Sequence, residues 1–330
     1  MTGHGKSDEM IVSGEGPWND FVKTLEGLGC SIVSERQCLQ IDGIISNNSS
    51  YNILKVAKEF NVNKSKMVCI LWEPQIVDPR RFSPRNLQKY GTIFSPSSLW
   101  IKGPNVNYFN WPQVDIKKID PNFSGWDKRK NKSVMIAANK YSVNSGELYS
   151  LRRSLAVFTA LNKSMDLYGY GWNKGFYYDL KLVIASSLKS KIHTLKVNSI
   201  TKIGKFQPAY IGPVQDKIKK LQEYRINVVI ENSPDYISEK LFDSIASGAI
   251  TIYVGPELQA FGLPDDIALT VKPNKIEISN MINRLIELPM DKQKKIAQKQ
   301  WESLLPYADL WQGSNSLTSL ARSIHSHLAQ

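Results

Sequence analysis

The chain has 330 residues, a hydrophobic content of 42% and a formal net charge of +12. This length predicts two domains, and the composition is that of an ordinary globular protein. No apolar run approaches the roughly 20 residues of a membrane-spanning helix, and the polar N-terminus lacks the apolar core of a signal peptide. We therefore expect a cytoplasmic protein and leave peripheral contact with a membrane open.

The positive charge is concentrated in the second half of the chain. Residues 1–125 carry a net charge of +2, and residues 126–330 carry +10. This half should attract an anion, for which a nucleic acid, a nucleotide diphosphate and an acidic membrane surface are candidates.

The cysteines and histidines indicate neither a disulfide framework nor a metal site. The three cysteines, Cys30, Cys38 and Cys69, are odd in number, and we expect reduced thiols. None of the four histidines has a second ligand at a metal-binding spacing, and the sequence contains no Asp-x-Asp motif. We expect no metal and no cofactor.

The first half alternates strand and helix patterns. Residues 40–46 predict a strand, residues 51–61 an amphipathic helix, and residues 66–72 a buried strand that stops at Glu73 and Pro74. This order predicts a parallel sheet. The polar stretch 117–133, with its basic run 128–132, is interpreted as a solvated interdomain linker, so that residues 1–125 and 126–330 form the two domains.

The second half repeats the alternation. Strands are predicted at residues 134–138, 165–168, 226–230 and 249–254. Helices are predicted at residues 147–162, 217–224, 239–247, 276–287 and 291–303, and again from 315.

Residues 224–256 form one strand–helix–strand unit that carries the functional signal. The strand ends at Glu231, and the helix begins near Glu239 and Lys240. Ligands of parallel sheets lie beyond the carboxyl ends of the strands, where a helix N-terminus favours phosphate. A lysine in the first turn does not stabilise a helix, so Lys240 is better explained by a bound anion. Glu239 could accept hydrogen bonds from ribose hydroxyls; an ordinary capped helix is the alternative.

This segment resembles the α1,3-fucosyltransferase family, glycosyltransferase family 10. The matching motifs are Glu-Asn-Ser at 231–233, Tyr-Ile-Ser-Glu-Lys at 236–240 and Gly-Pro at 255–256. Ile230 and Ser238 depart from the family's Phe and Thr, and Ser can still cap the helix. Weaker similarity covers residues 165–169 and 71–74.

The resemblance implies a GT-B fold, with two facing Rossmann-like domains and parallel sheets. It implies an inverting transfer of fucose from GDP-fucose to a glycan acceptor, with the donor in the C-terminal domain and the acceptor in the N-terminal one. Glu73 would be the general base. The implied donor-binding residues are Arg152, Glu231, Asn232, Tyr236, Glu239 and Lys240. Two cations and a helix terminus could replace a metal in stabilising the diphosphate.

Other interpretations stay open at this point. The enzyme could use a different nucleotide sugar, or the chain could bind a donor without catalysis. A basic nucleic-acid-binding protein is less well supported, because no recognition motif accompanies the charge, and we expect no nucleic-acid partner. Arg153 is the alternative to Arg152, Glu73 could cap a turn, and Tyr236 could anchor a loop. The aromatic stretch 168–178 could stack a sugar or a base, or pack as a loop.

Overall fold

The computed structural model describes residues 16–32, 40–49, 52–111, 113–173, 184 and 209–329. The chain divides into two compact units. The first unit comprises Met1–Pro112 and Asp309–Gln330, and the second unit comprises Gln113–Ala308. The division differs from the predicted one in two respects: the boundary lies before residue 125, and the C-terminal segment belongs to the first unit.

The first unit contains a parallel sheet of four short strands in the order β1-β2-β3-β4. Its strands are β1 (Ile44–Asn47), β2 (Met67–Ile70), β3 (Thr92–Ser95) and β4 (Val106–Tyr108). Its N-terminal helices are α1 (Gly16–Gly27), α2 (Ile53–Glu59) and α3 (Pro84–Leu87). The predicted strand–helix–strand unit is confirmed in β1, α2 and β2.

The second unit contains a parallel sheet of six strands in the order β10-β9-β8-β5-β6-β7. The strands are β5 (Lys130–Ile136), β6 (Met165–Tyr168), β7 (Tyr210–Gly212), β8 (Tyr224–Ile230), β9 (Ile250–Val254) and β10 (Leu269–Thr270). The helices are α4 (Tyr149–Ala160), α5 (Lys217–Leu221), α6 (Glu239–Ala246), α7 (Lys275–Glu287) and α8 (Met290–Leu304). Alternation of buried strands and covering helices makes each unit Rossmann-like.

The chain ends with α9 (Ala308–Trp311) and α10 (Gly313–Ala329). Helix α10 buries Leu317, Leu320 and Ile324 in one apolar cluster with Phe21 and Leu25 of α1. This contact joins residues about 300 positions apart in sequence, so that hydrophobic burial, rather than chain proximity, assigns α10 to the first unit.

The predicted solvated linker is wrong for its second part. Lys130–Ile136 is strand β5, and Arg129 is only 4% exposed. Its guanidinium donates to the carbonyl oxygens of Ser247 at 2.9 Å and Tyr224 at 3.4 Å, and burial lowers its pKa to about 10. Lys132 is paired with Asp166. Arg129 therefore belongs to the domain core, whereas Lys128, Lys130 and Asn131 of the same run are exposed at its edge.

Three further expectations concern the cysteines, membrane-spanning helices and the aromatic stretch. Cys30 and Cys69 are free thiols, and burial raises the pKa of Cys69; Cys38 lies outside the described residues. Within the described ranges, no helix combines the length and apolar content that a membrane span requires. Residues 174–178 of the aromatic stretch also lie outside the described residues.

Candidate functional site

The candidate site is the junction between strand β8 and helix α6, at the carboxyl edge of the second sheet. Directly after β8, Glu231 is fully buried, and its backbone N–H bonds to Val254 O of β9 at 2.8 Å. One carboxylate oxygen accepts from the backbone N–H of Ser238 at 2.9 Å, and the other accepts from the Ser238 hydroxyl at 2.6 Å. Glu231 therefore ties the strand end to the start of α6.

Ser238 connects this buried carboxylate to Lys240. It is the N-cap of α6, and its Oγ accepts from the Lys240 backbone N–H at 3.4 Å. The Lys240 ammonium donates to the same Oγ at 2.8 Å and lies 3.6 Å from Glu231 Oε2. The Lys240 side chain is 19% exposed, so part of it reaches solvent at the N-terminal turn of the helix.

Arg152 lies beneath the same junction. Its side chain on α4 is 2% exposed, and its Nε donates to Ile230 O at 3.0 Å. Its Nη2 donates to Asn232 Oδ1 at 2.9 Å. Burial lowers the pKa of Arg152, an effect opposed chiefly by Tyr149, over whose ring the guanidinium lies at 5.2 Å. The guanidinium is thus engaged with protein acceptors, and its contact with a donor stays a prediction.

Asn232 and Tyr236 extend this network into the β8–α6 loop. The Asn232 amide donates to the Tyr236 hydroxyl, and its backbone carbonyl accepts from Leu148 N at 2.9 Å. Tyr236 is 3% exposed. Burial, together with the charges of Glu231 and Glu239, raises its pKa well above 10, so the hydroxyl stays protonated.

Glu239 lies between two lysines at the rim of the junction. Its side chain is 38% exposed, with Oε1 at 3.3 Å from Lys217 Nζ and 3.9 Å from Lys240 Nζ. Burial acts to raise the pKa of Glu239, but the two lysines outweigh it and lower that pKa to about 2. Glu239 is therefore ionised throughout the neutral range.

Lys217, at the start of α5, also bonds Asp243 Oδ2 at 3.2 Å. The side chain of Asp243 is only 7% exposed, and burial raises its pKa to about 6 in spite of Lys217. Burial likewise acts to lower the pKa of Lys217, and Glu239 and Asp243 outweigh it, so that this pKa is raised.

Gly255 allows the strand after α6 to approach Glu231. A Cβ on Gly255 would collide with Tyr253 Oη and would lie 2.9 Å from Glu231 Cγ. A side chain at this position would push the buried carboxylate away from Ser238.

Glu73 lies in the first unit, after the carboxyl end of β2, and its side chain is exposed. Its backbone N–H donates to Asn48 Oδ1 at 3.3 Å, as does that of Trp72 at 2.8 Å. Asn48 follows β1 with φ 58°, a conformation in which its side chain reaches the next loop. Position and exposure suit a general base, and this role stays a prediction.

The structure therefore brings Arg152, Glu231, Asn232, Tyr236, Glu239 and Lys240 into one junction. Arg153, the alternative to Arg152, points elsewhere: it lies over the Tyr141 ring at 5.0 Å and donates to Lys140 O. Sequence reasoning missed Lys217 and Asp243. A signal existed, because Asp243 follows Glu239 by four residues on one helix, and such like-charge pairs repel unless a cation lies between them.

Comparison with known proteins identifies the fold rather than a family. No family model matches the chain, and no curated relative matches it by sequence. Among solved structures, Anabaena HepE in complex with UDP and glucose is similar, at 12% identity and a TM-score of 0.55, over 93% of this chain and 81% of that chain.

Two further structures agree. An alpha-glucosyltransferase bound to UDP and mismatched DNA has 13% identity and a TM-score of 0.55, over 92% of this chain and 83% of its own. A glycosyltransferase from Rickettsia africae has 10% identity and a TM-score of 0.51, over 99% of this chain and 84% of its own. This chain contains two parallel sheets, and its fold is similar to those of these structures. It therefore has the GT-B fold found in glycosyltransferases.

The acidic residues of the site are engaged with lysines and hydroxyls. The part of the chain that the structure describes holds no group of three or more His, Cys, Asp or Glu side chains arranged to bind a metal. Metal-independent activity stays a prediction.

Proposed function

We propose that the protein is a glycosyltransferase that binds a nucleotide sugar at the β8–α6 junction. The observation that carries this proposal is the placement of Lys240, a partly exposed cation in the first turn of a helix at the carboxyl edge of a parallel sheet. Backbone N–H groups and the helix dipole favour an anion at this point, and Lys240 adds a full positive charge.

The chemistry of the junction matches the two polar parts of a nucleoside diphosphate. Lys240 would pair with the diphosphate, whose negative charge increases as the glycosidic bond breaks. Glu239, ionised and exposed at the rim, would accept hydrogen bonds from the ribose hydroxyls. Arg152 and Glu231 would support this arrangement from below by fixing the loop that connects β8 to α6.

Two candidate donors are proposed, in order of preference. A UDP-sugar is favoured, because structures of similar fold contain UDP or UDP-glucose in their complexes. GDP-fucose is the second candidate, supported by the motifs at 231–233 and 236–240 that resemble the α1,3-fucosyltransferases. The acceptor is proposed to be a glycan bound by the first unit, with Glu73 as the base that deprotonates its hydroxyl. A single base of this kind suits an inverting reaction.

Nucleotide binding is tested by isothermal titration calorimetry with UDP, UDP-glucose, GDP and GDP-fucose. The wild-type protein should bind either UDP and UDP-glucose or GDP and GDP-fucose more tightly than the other pair. Lys240→Met should weaken this binding about tenfold, the loss expected for one charge-assisted contact. Lys219→Met is the matched control, since Lys219 is 84% exposed and pairs with Asp216. If wild type bound none of the four compounds, the proposed function would be refuted.

Transfer is tested with the selected donor and a panel of oligosaccharide acceptors. Product formation supports an enzyme, and the anomeric configuration of the new bond, read by NMR, decides whether the reaction inverts. Tight donor binding with no turnover on any acceptor, unchanged by Glu73→Gln, would instead indicate a binding module without catalysis.

A further inference from the structure

We propose that Lys217 is a positioning residue, which holds Glu239 in the orientation that accepts the ribose hydroxyls of a nucleotide. This inference rests on the proposed function, because it assigns Glu239 to the ribose. It concerns a residue outside the motif segment, on the preceding helix α5.

Two carboxylates on one face of α6 create the need for a cation. Glu239 and Asp243 are four residues apart, and like charges at this spacing repel each other even in an isolated helix. The Lys217 ammonium lies 3.3 Å from Glu239 Oε1 and 3.2 Å from Asp243 Oδ2, so that one cation bridges both.

The three residues of the bridge differ in exposure, and this difference indicates which of them holds the others in place. Asp243 is 7% exposed and lies on the buried side, whereas Glu239 is 38% exposed and lies at the rim. A buried carboxylate has few alternative orientations, so Asp243 anchors Lys217, and Lys217 in turn limits the rotamers of Glu239.

Lys240 cannot serve the same purpose once a nucleotide is bound. It lies 3.9 Å from Glu239 Oε1, beyond hydrogen-bond reach, and already donates to Ser238 Oγ at 2.8 Å. In the proposed complex, Lys240 pairs with the diphosphate. Lys217 is then the cation that stays paired with Glu239 and holds its carboxylate in place. The remaining lone pairs of that carboxylate accept hydrogen bonds from the ribose hydroxyls.

The location of Lys217 within its own helix supports a role beyond helix stability. It is the first residue of α5, after the N-cap Asp216, whose side chain accepts from Lys219 N at 3.0 Å. A cation in the first turn is unfavourable for the helix dipole, so its contacts with α6 offset that cost. Lys219 lies on the same short helix, and its ion pair is with Asp216 rather than with a residue of α6. It is therefore the matched control.

The test uses the full chain and compares ribonucleotides with their 2′-deoxy analogues by calorimetry: UDP against 2′-deoxy-UDP, and GDP against 2′-deoxy-GDP. For the preferred base, wild type should bind the ribonucleotide about tenfold more tightly. Lys217→Met should weaken ribonucleotide binding about tenfold, and it should weaken binding of the 2′-deoxynucleotide, which keeps only the 3′-hydroxyl, by a smaller factor of about threefold. Lys217→Arg should restore most of the affinity, and Lys219→Met should behave as wild type.

The outcomes separate this inference from the proposed function. If Lys217→Met weakened the binding of the ribonucleotide and of the 2′-deoxynucleotide by the same factor, the effect would be a general one of charge, and the positioning role would be overturned. The positioning role would also be overturned if Lys217→Met weakened the binding of neither nucleotide. Equal affinity of wild type for ribo- and 2′-deoxynucleotides would also overturn it, while leaving nucleotide binding intact. Wild type that binds none of the four compounds would refute the proposed function itself. Thermal melts of each variant, with Lys217→Gln as a second neutral replacement, exclude unfolding as the cause.

Discussion

Replacing Asp243 with Asn should make the protein more stable at neutral pH and leave it unchanged in acid. The Asp243 side chain is 7% exposed, and burial raises its pKa from 3.8 to about 6, although Lys217 acts in the opposite direction. Between these two values the folded state binds more protons than the unfolded state, so the free energy of unfolding falls as the pH rises. The stabilising effect of the protonated carboxyl is present below 3.8 and lost as the pH passes 6.

The magnitude follows from the two pKa values. A tenfold change in proton affinity corresponds to about 1.4 kcal/mol, so keeping Asp243 ionised in the folded protein costs about 3 kcal/mol. Asn has the shape of the protonated carboxyl and does not titrate. The stability of Asp243→Asn relative to wild type should therefore rise by about 2–3 kcal/mol between pH 4 and pH 7.

Urea denaturation of both proteins at pH 4 and at pH 7 measures this difference. Comparing the proteins at the same pH removes the opposite contribution of Glu239, whose lowered pKa stabilises the folded state above 4.5 and is lost as the pH falls towards 2. If Asp243→Asn were less stable than wild type at pH 7, or if the difference did not change with pH, the reasoning would be refuted.

Three further predictions concern the reaction and the fold. Glu73→Gln should lower the transfer rate roughly 10²- to 10⁴-fold with unchanged nucleotide affinity; a wild-type rate would exclude Glu73 as the base. Gly169→Ala should lower the free energy of unfolding by about 1–3 kcal/mol in urea melts, because Gly169 has φ 130° and a Cβ would collide with Ala137 O; Gly27→Ala, with no atom near its Cβ, is the control. Excess EDTA should leave transfer intact, and complete loss restored by Mn²⁺ would refute a metal-independent mechanism.

The β8–α6 junction could be predicted from sequence because its signals are local. An apolar run predicts the strand, Ser238 caps the helix, and Gly248 follows its end with φ 74°. The structure agrees with the predicted bounds to within two residues for both elements: residues 226–230 against Tyr224–Ile230, and residues 239–247 against Glu239–Ala246. Boundaries set by caps and glycines depend on neighbouring residues only.

Features that depend on distant residues could not be predicted in this way. The assignment of α10 to the first unit depends on Leu320 and Ile324 meeting Phe21, and no local pattern encodes that contact. Arg129 lies within a run of charged residues, yet carbonyl groups from three separate segments accept its hydrogen bonds. A basic run indicates a solvated surface unless the fold supplies such acceptors, and only the tertiary structure reveals them.

Burial distinguishes two kinds of residue within the site. Glu231 is fully buried and Arg152 is 2% exposed, whereas Lys240 and Glu239 are 19% and 38% exposed. Removing one partner of a buried charged network costs about 3–5 kcal/mol, because the remaining charge is left uncompensated.

Loss of activity in variants of Glu231 or Arg152 would therefore follow from collapse of the β8–α6 loop, whether or not either residue touches a ligand. The decisive variants are those of Lys240 and Glu239, since both side chains reach solvent. A change in nucleotide affinity at these two positions, without a change in stability, reports contact with the ligand itself.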